Sequence, residues 1–251
     1  MTLPPLRTED AAATHVGKVR SENEDSHFSS NEAGVWLVAD GMGGHSNGRF
    51  ASETIAAELG AAQVPEGIEE ACDAVAQSVH AANGRIFAKS LEIGSQVGST
   101  FVSLVVRGYE FAVLWAGDSR AYLYRDGHLI LLTRDHTQVE ALVERGLLTR
   151  EEALDHPMKH VLARAVGVQE ELEIDAIRDA IEPRDLFLLC SDGLHSVLGE
   201  EEIARILGEK GNGACDDLID ACLQHGAPDN VTVTVVAVRE STLLAINGAS
   251  F

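Results

Sequence analysis

Between residues 100 and 133 the chain runs through four apolar segments, TFVSLVVR, EFAVLWAG, RAYLYR and HLILLT, each separated from the next by only two residues. A crossover that returns a parallel strand needs roughly a dozen residues. The four segments are therefore predicted to be antiparallel strands of one meander. Asp126-Gly127 fills one of the gaps, and Asp-Gly is the pair a two-residue hairpin turn favours. VWLVAD lies upstream, and ELEIDAI, DLFLLCS and VTVTVVAV follow, which brings the expectation to roughly ten strands. Helical spacing is seen at Ala51, Ile55 and Leu59, and again at Val75, Val79, Ala82 and Ile86. A third helical stretch near 200–225 puts Ile203, Ile206, Leu207, Leu218 and Cys222 on apolar faces. Strands in this number, with amphipathic helices on either side, predict an α+β fold in which sheet packs on sheet and helices cover the outer faces.

No repeat and no linker-like composition interrupts the chain, so residues 1–251 read as one domain. Residues 137–163, with Pro157 among them, are polar and helix-prone and read as an excursion from the sheet.

Charge narrows the function. Forty Asp and Glu face 19 Lys and Arg, a formal net charge of −21. A nucleic-acid footprint needs the opposite sign, as does a polybasic membrane anchor. Disorder is argued against by the 45% apolar content. No apolar run approaches the ~20 residues of a membrane helix, and the first residues show no hydrophobic signal region. The expectation is a cytoplasmic protein. Cys72, Cys190, Cys215 and Cys222 have no metal-binding spacing and read as apolar thiols.

The acids carry a pattern. VWLVAD ends in Asp40, AVLWAGD in Asp118 and LFLLCSD in Asp192, while Asp229 stands just before VTVTVVAV. In an antiparallel sheet one strand's end lies at the same edge as its neighbour's start, so these four acids are expected to converge. An Asp-Gly pair is by itself ordinary turn chemistry, which suffices for Asp126-Gly127. Carboxylates gathered in one site need cations or protons between them, and hard divalent cations with oxygen ligands meet that need. Arg20, in RSENED, offers a planar bidentate donor suited to phosphate; a solvated charged turn is the alternative for that short motif.

Arg20-Ser21-Glu22-Asn23-Glu24-Asp25 and Asp40-Gly41-Met42-Gly43-Gly44-His45 together resemble the metal-dependent Ser/Thr protein phosphatases of type 2C, the PPM family. Gly98-Ser99-Thr100, Gly117-Asp118-Ser119-Arg120, Asp135-His136-Thr137, Arg164-Ala165-Val166-Gly167, Ser191-Asp192-Gly193-Leu194 and Asp229-Asn230-Val231-Thr232 follow in that family's order. The resemblance spans about residues 14–238, and the D-G-M-G-G-H form is similar to the compact bacterial branch. It implies an α-β-β-α sandwich of two antiparallel sheets. It also implies a centre of two Mg²⁺ or Mn²⁺ ions held by Asp40, the Gly41 carbonyl, Asp192, Asp229 and Glu24, with Asp118 and Asp192 at a third site. Arg20 would bind the substrate phosphate. The 137–163 segment would be the flap beside the site, and the tail of about residues 240–251 has no assigned role. The implied activity is hydrolysis of phosphoserine and phosphothreonine in proteins, reversing a cognate Ser/Thr kinase, by a monomer.

Uncatalysed phosphomonoester hydrolysis is so slow that acceleration can approach ~10²¹-fold, of which side-chain acid–base catalysis supplies about 10²–10⁴. Metals are expected to supply much of the rest, activating a bridging water for direct attack at phosphorus. No cysteine lies in a C-x5-R nucleophile loop. Eukaryotic relatives resemble D-G-H-A-G, with a His proposed as general acid; here that position is Met42, which cannot donate a proton. His45 is the candidate proton donor, and a metal-bound water the other. His136 and His195 are expected to have local structural roles. A catalytically dead binding module and a phosphatase of small molecules are the competing readings.

Overall fold

The computed structural model describes residues 5–44, 46–154 and 156–241. The strands are β1 (Leu6–His15), β2 (Asp25–Ser30), β3 (Val35–Met42), the two-residue β4 (Gly98–Ser99), β5 (Phe101–Arg107), β6 (Glu110–Ala116), β7 (Arg120–Arg125), β8 (His128–Leu131), β9 (Asp175–Ala180), β10 (Leu186–Cys190) and β11 (Val231–Glu240). The helices are α1 (Ser46–Ala61), α2 (Ile68–Ile93), α3 (Gln138–Glu144), α4 (Arg150–Leu154), α5 (Asp192–His195), α6 (Glu200–Lys210) and α7 (Ala214–Gln224). One sheet has the order β1-β11-β10-β7-β8 and the other β2-β3-β5-β6-β9, with β4 beside β3. Every strand pair is antiparallel.

Period-two alternation explains the layers. On β3, Trp36 and Val38 face the other sheet and meet Phe187, Leu189, Val236 and Val238. Val35, Leu37 and Ala39 face outward and pack on Ile55, Leu59, Val75, Val79 and Ile86 of α1 and α2. On the opposite side Leu188, Val233 and Val235 pack on Ile203, Leu207, Leu218 and Cys222 of α6 and α7. The strands are thus apolar on both faces, and the predicted α-β-β-α sandwich is observed. Phe111 meets Phe187 edge to face between the sheets, with ring centroids 4.7 Å apart.

Two expectations are corrected. The four strands of residues 100–133 do not form one meander. β5 and β6 pair in one sheet and β7 and β8 in the other, and the chain crosses between sheets at Gly117–Ser119. Gly117, at φ +116°, makes that crossing possible, because an added Cβ would lie 2.6 Å from the Thr100 side chain. The helical stretch near 200–225 is two helices, split at Gly211–Gly213, where Gly211 adopts φ +57°. The Asp126-Gly127 turn is as expected, with both residues at positive φ and Arg125 paired with His128.

Residues 137–163 leave the sheet, carry α3 and α4, and return where Gln138 N–H donates to the Val161 carbonyl (2.8 Å) and Ala163 N–H to that of His136 (2.7 Å). Cys190, Cys215 and Cys222 are buried as free thiols, and Cys72 is half-buried. Among the described residues no helix is long and apolar enough to cross a membrane. Nearly all of the tail lies outside the described residues.

Candidate functional site

Cys190 at the end of β10 pairs with Val233 near the start of β11, so Asp192 and Asp229 emerge at one edge of their sheet. Asp40, near the end of β3, comes from the other sheet. Asp118 comes from the crossing between the two. All four line one cleft of about 510 Å³, together with Arg20, Glu24 and Gly41. The four strand-end acids thus converge as expected, with Arg20, Glu24 and Gly41 beside them; His45 lies outside the described residues.

Backbone bonds hold Asp40. Its N–H donates to Thr100 Oγ1 (3.1 Å), and its carbonyl accepts from Thr100 N–H and Ser99 Oγ, both 2.8 Å. The side chain is thereby left to face the cleft. Gly41 allows α1 to press close: a Cβ there would lie 2.1 Å from the Gly48 carbonyl oxygen. Asn230, buried between the two halves of the site, donates to the carbonyls of Val16 and Glu22 (both 2.9 Å) and accepts from Glu24 N–H (2.8 Å). It fixes the segment that carries Arg20 and Glu24. Replacing it (Asn230→Ala) removes three bonds worth about 1 kcal/mol each and bares their partners. Chemical denaturation should show a loss of about 2–4 kcal/mol.

Mutual repulsion dominates the electrostatics. Burial first, then Asp25, Asp192, Asp118 and Asp229, push the Asp40 carboxyl well above the ordinary range. Burial and the neighbouring Asp192 raise Asp118 to about 8. Burial and Asp229 raise Asp192, whose Oδ1 is a buried oxygen with no hydrogen-bond partner. Arg20 Nη2 donates to Asp229 Oδ2 at 2.7 Å, so the one arginine expected to face phosphate is docked on one of the acids.

Two residues were not singled out by sequence reasoning. Asp25 is buried opposite Asp40 in the β2–β3 register. It accepts from Ser191 Oγ (2.8 Å), its Oδ1 is unpartnered, and burial raises it to about 7. Its signal was present only as one more acid of RSENED; the cross-sheet bond to Ser191 has no linear trace. His160, from the 137–163 segment, also lines the cleft; nothing in its local sequence marks it.

Residues 9–145 match the protein phosphatase 2C family, and the chain belongs to it. It is 37% identical over 232 residues to the serine/threonine protein phosphatase PstP of Mycobacterium tuberculosis, an alignment covering 91% of this chain and 44% of that one. This chain therefore spans less than half of that relative's length. Among solved structures it is similar to PppA, a key regulatory component of T6SS in Pseudomonas aeruginosa, with a TM-score of 0.86 at 38% identity, covering 92% and 98% of the two chains. It is also similar to the catalytic domain of PstP in complex with two manganese ions, with a TM-score of 0.82 at 34% identity, covering 93% and 99%.

Proposed function

We propose that the chain hydrolyses phosphoserine and phosphothreonine in proteins with the help of divalent cations. The observation that carries this reading is the set of carboxylates from both sheets, Asp40, Asp118, Asp192 and Asp229, gathered in one cleft beside Arg20. Such a set is self-repelling as it stands, and the unpartnered Asp192 Oδ1 asks for a ligand. Among the described residues no group of three or more His, Cys, Asp or Glu is drawn together closely enough to hold a metal ion as it stands. The proposed donors that line the cleft are carboxylate and carbonyl oxygens, which suits hard cations such as Mg²⁺ or Mn²⁺, and Mg²⁺ completes its shell with waters. The two manganese ions of the PstP catalytic domain support the same choice.

Asp40, the Gly41 carbonyl, Asp192, Asp229 and Glu24 would hold two ions, and Asp118 with Asp192 a third. When bound, the cations supply positive charge to the phosphoryl oxygens and lower the pKa of the attacking water. The chain's own residues do the rest. The Thr100 and Ser99 bonds fix the Asp40 backbone, and Arg20 exchanges Asp229 for the equatorial oxygens of the substrate phosphate. Met42 contributes no proton; His45 is the protein-borne candidate for protonating the leaving oxygen. The names of the relatives, serine/threonine protein phosphatase and serine/threonine phosphatase, support phosphoproteins as substrates.

The direct test is phosphate release from phosphothreonine peptides with and without Mn²⁺. Mn²⁺-dependent release is expected, and rates on small phosphomonoesters alone would redirect the assignment. Arg20→Ala should raise KM about 10- to 100-fold, the value of a charge-assisted contact of about 1.5–3 kcal/mol. An unchanged KM would remove Arg20 from phosphate binding.

A further inference from the structure

The Gly117–Asp118 turn is gripped from two sides by histidines. Gly117 N–H donates to His136 Nδ1 (3.2 Å), and the Gly117 carbonyl accepts from His136 N–H (2.9 Å). The Asp118 carbonyl lies 3.0 Å from His195 Nε2 and accepts its proton. A backbone N–H can only donate, so His136 Nδ1 is the acceptor and Nε2 carries the proton. Nε2–H then points to Asp175 Oδ2, 3.1 Å away. Arg164 Nη1 donates to the other Asp175 oxygen, Oδ1, at 2.5 Å. Its 3.3 Å approach to His136 Nε2 is that of two donors converging on one carboxylate. The His136 ring is stacked on Trp115, centroids 6.0 Å apart, so it has little freedom to turn. Its carbonyl in turn accepts from Ala163 N–H, where the 137–163 segment rejoins the core.

We propose that His136 and His195 are positioning residues that hold the Gly117–Asp118 turn so that the Asp118 carboxylate stays in the acid cluster. His136 also ties that turn to the return of the 137–163 segment through Ala163, Arg164 and Asp175. The inference rests on the cation-dependent reading above. Without the two imidazoles the turn would keep the His136 N–H bond to the Gly117 carbonyl and the 2.6 Å bond between the Ser119 and Thr100 hydroxyls, but its Gly117 N–H and Asp118 carbonyl would be unheld, and the buried Asp118 carboxylate would gain by swinging away from its like-charged neighbours. The clamp acts on the backbone on both sides of the Asp118 side chain and makes no bond to its carboxylate. Outer partners of this kind typically change metal affinity or activity 10- to 100-fold when removed.

Mn²⁺ titration calorimetry on the metal-stripped full chain tests this, alongside thermal unfolding and steady-state kinetics on a phosphothreonine peptide. His136→Leu should weaken at least one Mn²⁺ binding step about 10- to 100-fold and raise the half-activating Mn²⁺ concentration equally, with KM for the peptide unchanged. His136→Asn places an amide oxygen near the position of Nδ1, accepts from Gly117 N–H, and should recover most of that loss. Asp175→Ala, at a half-exposed strand end, should weaken the same step about 10-fold and serves if His136→Leu does not fold. An isotherm unchanged in His136→Leu, or in Asp175→Ala if that variant must stand in, overturns the clamp, as does His136→Asn behaving like Leu. A wild-type chain that takes up no Mn²⁺ overturns the functional reading, and the clamp with it.

Discussion

Asp40→Asn should abolish Mn²⁺-dependent phosphate release, with turnover falling by at least about 10²–10³-fold, the loss seen when one group that stabilises transition-state charge is removed. The reason is specific to its place. Asp25, Asp192, Asp118 and Asp229 all act on the buried Asp40 carboxyl and raise it. The backbone bonds to Thr100 and Ser99 do not involve the carboxylate and survive the substitution. The variant should therefore fold. Without metal it should melt higher than wild type, because Asn neither repels the neighbouring acids nor has to take up a proton on folding, as a buried carboxyl with a raised pKa must. Activity and stability thus move in opposite directions, an outcome a general folding defect cannot imitate. Asp192→Asn should behave alike. Metal-dependent turnover retained in both variants would defeat the assignment.

Between about pH 6.5 and 8 the metal-stripped chain should lose stability as pH rises. Asp25 is raised from 3.8 to about 7 and Asp118 to about 8, in both cases first by burial. The folded chain therefore holds protons that the unfolded chain has already released, and stability falls as pH climbs through those values. His195 works the other way, but lower: burial takes it from 6.5 to about 4, so its contribution is lost as pH falls through that range and is complete above pH 6.5. Mn²⁺ should reverse the alkaline loss. At a hundred times its Kd a cation adds about 2.7 kcal/mol, which is about 5–10 °C in Tm for a chain of this size. Thermal unfolding across that pH range, with EDTA and then with Mn²⁺, measures both effects. A metal-free Tm that rises with pH there would contradict the arrangement of buried acids.

How far the sequence carries the structure depends on what kind of order is asked for. Side-chain period shows which face is buried, so the helices over Ala51–Leu59 and Val75–Ile86 and the strand at VWLVAD are legible directly. The Asp126-Gly127 turn is legible because its backbone demands those residue types. Strand partners are not encoded in period. EFAVLWAG and RAYLYR are adjacent, apolar and two residues apart, yet they lie in different sheets because the chain turns through a glycine backbone at Gly117. The acids of the site are legible as strand-end residues; antiparallel pairing of β10 and β11 accounts for Asp192 and Asp229, while the stacking of one sheet on the other brings in Asp40 and Asp118. Asp25 and Asn230 belong to the site through bonds across 166 and more than 200 residues of chain, to Ser191 and to Val16 and Glu22. Neither contact leaves a local mark. His160 comes from a segment whose path over the cleft is set by its two anchoring backbone bonds and not by its composition.

The crossing at Gly117–Ser119 has a wider meaning. Asp40 belongs to one sheet, Asp192 and Asp229 flank strands of the other, and Asp118 lies on the chain that joins them. Cations bound among these acids, as proposed, would act as rivets through the seam of the sandwich. Neither sheet alone carries the whole set of acids, so a half-folded chain with its layers apart would lack the proposed metal site. On the proposed function, catalytic competence would report that the two layers have closed in register.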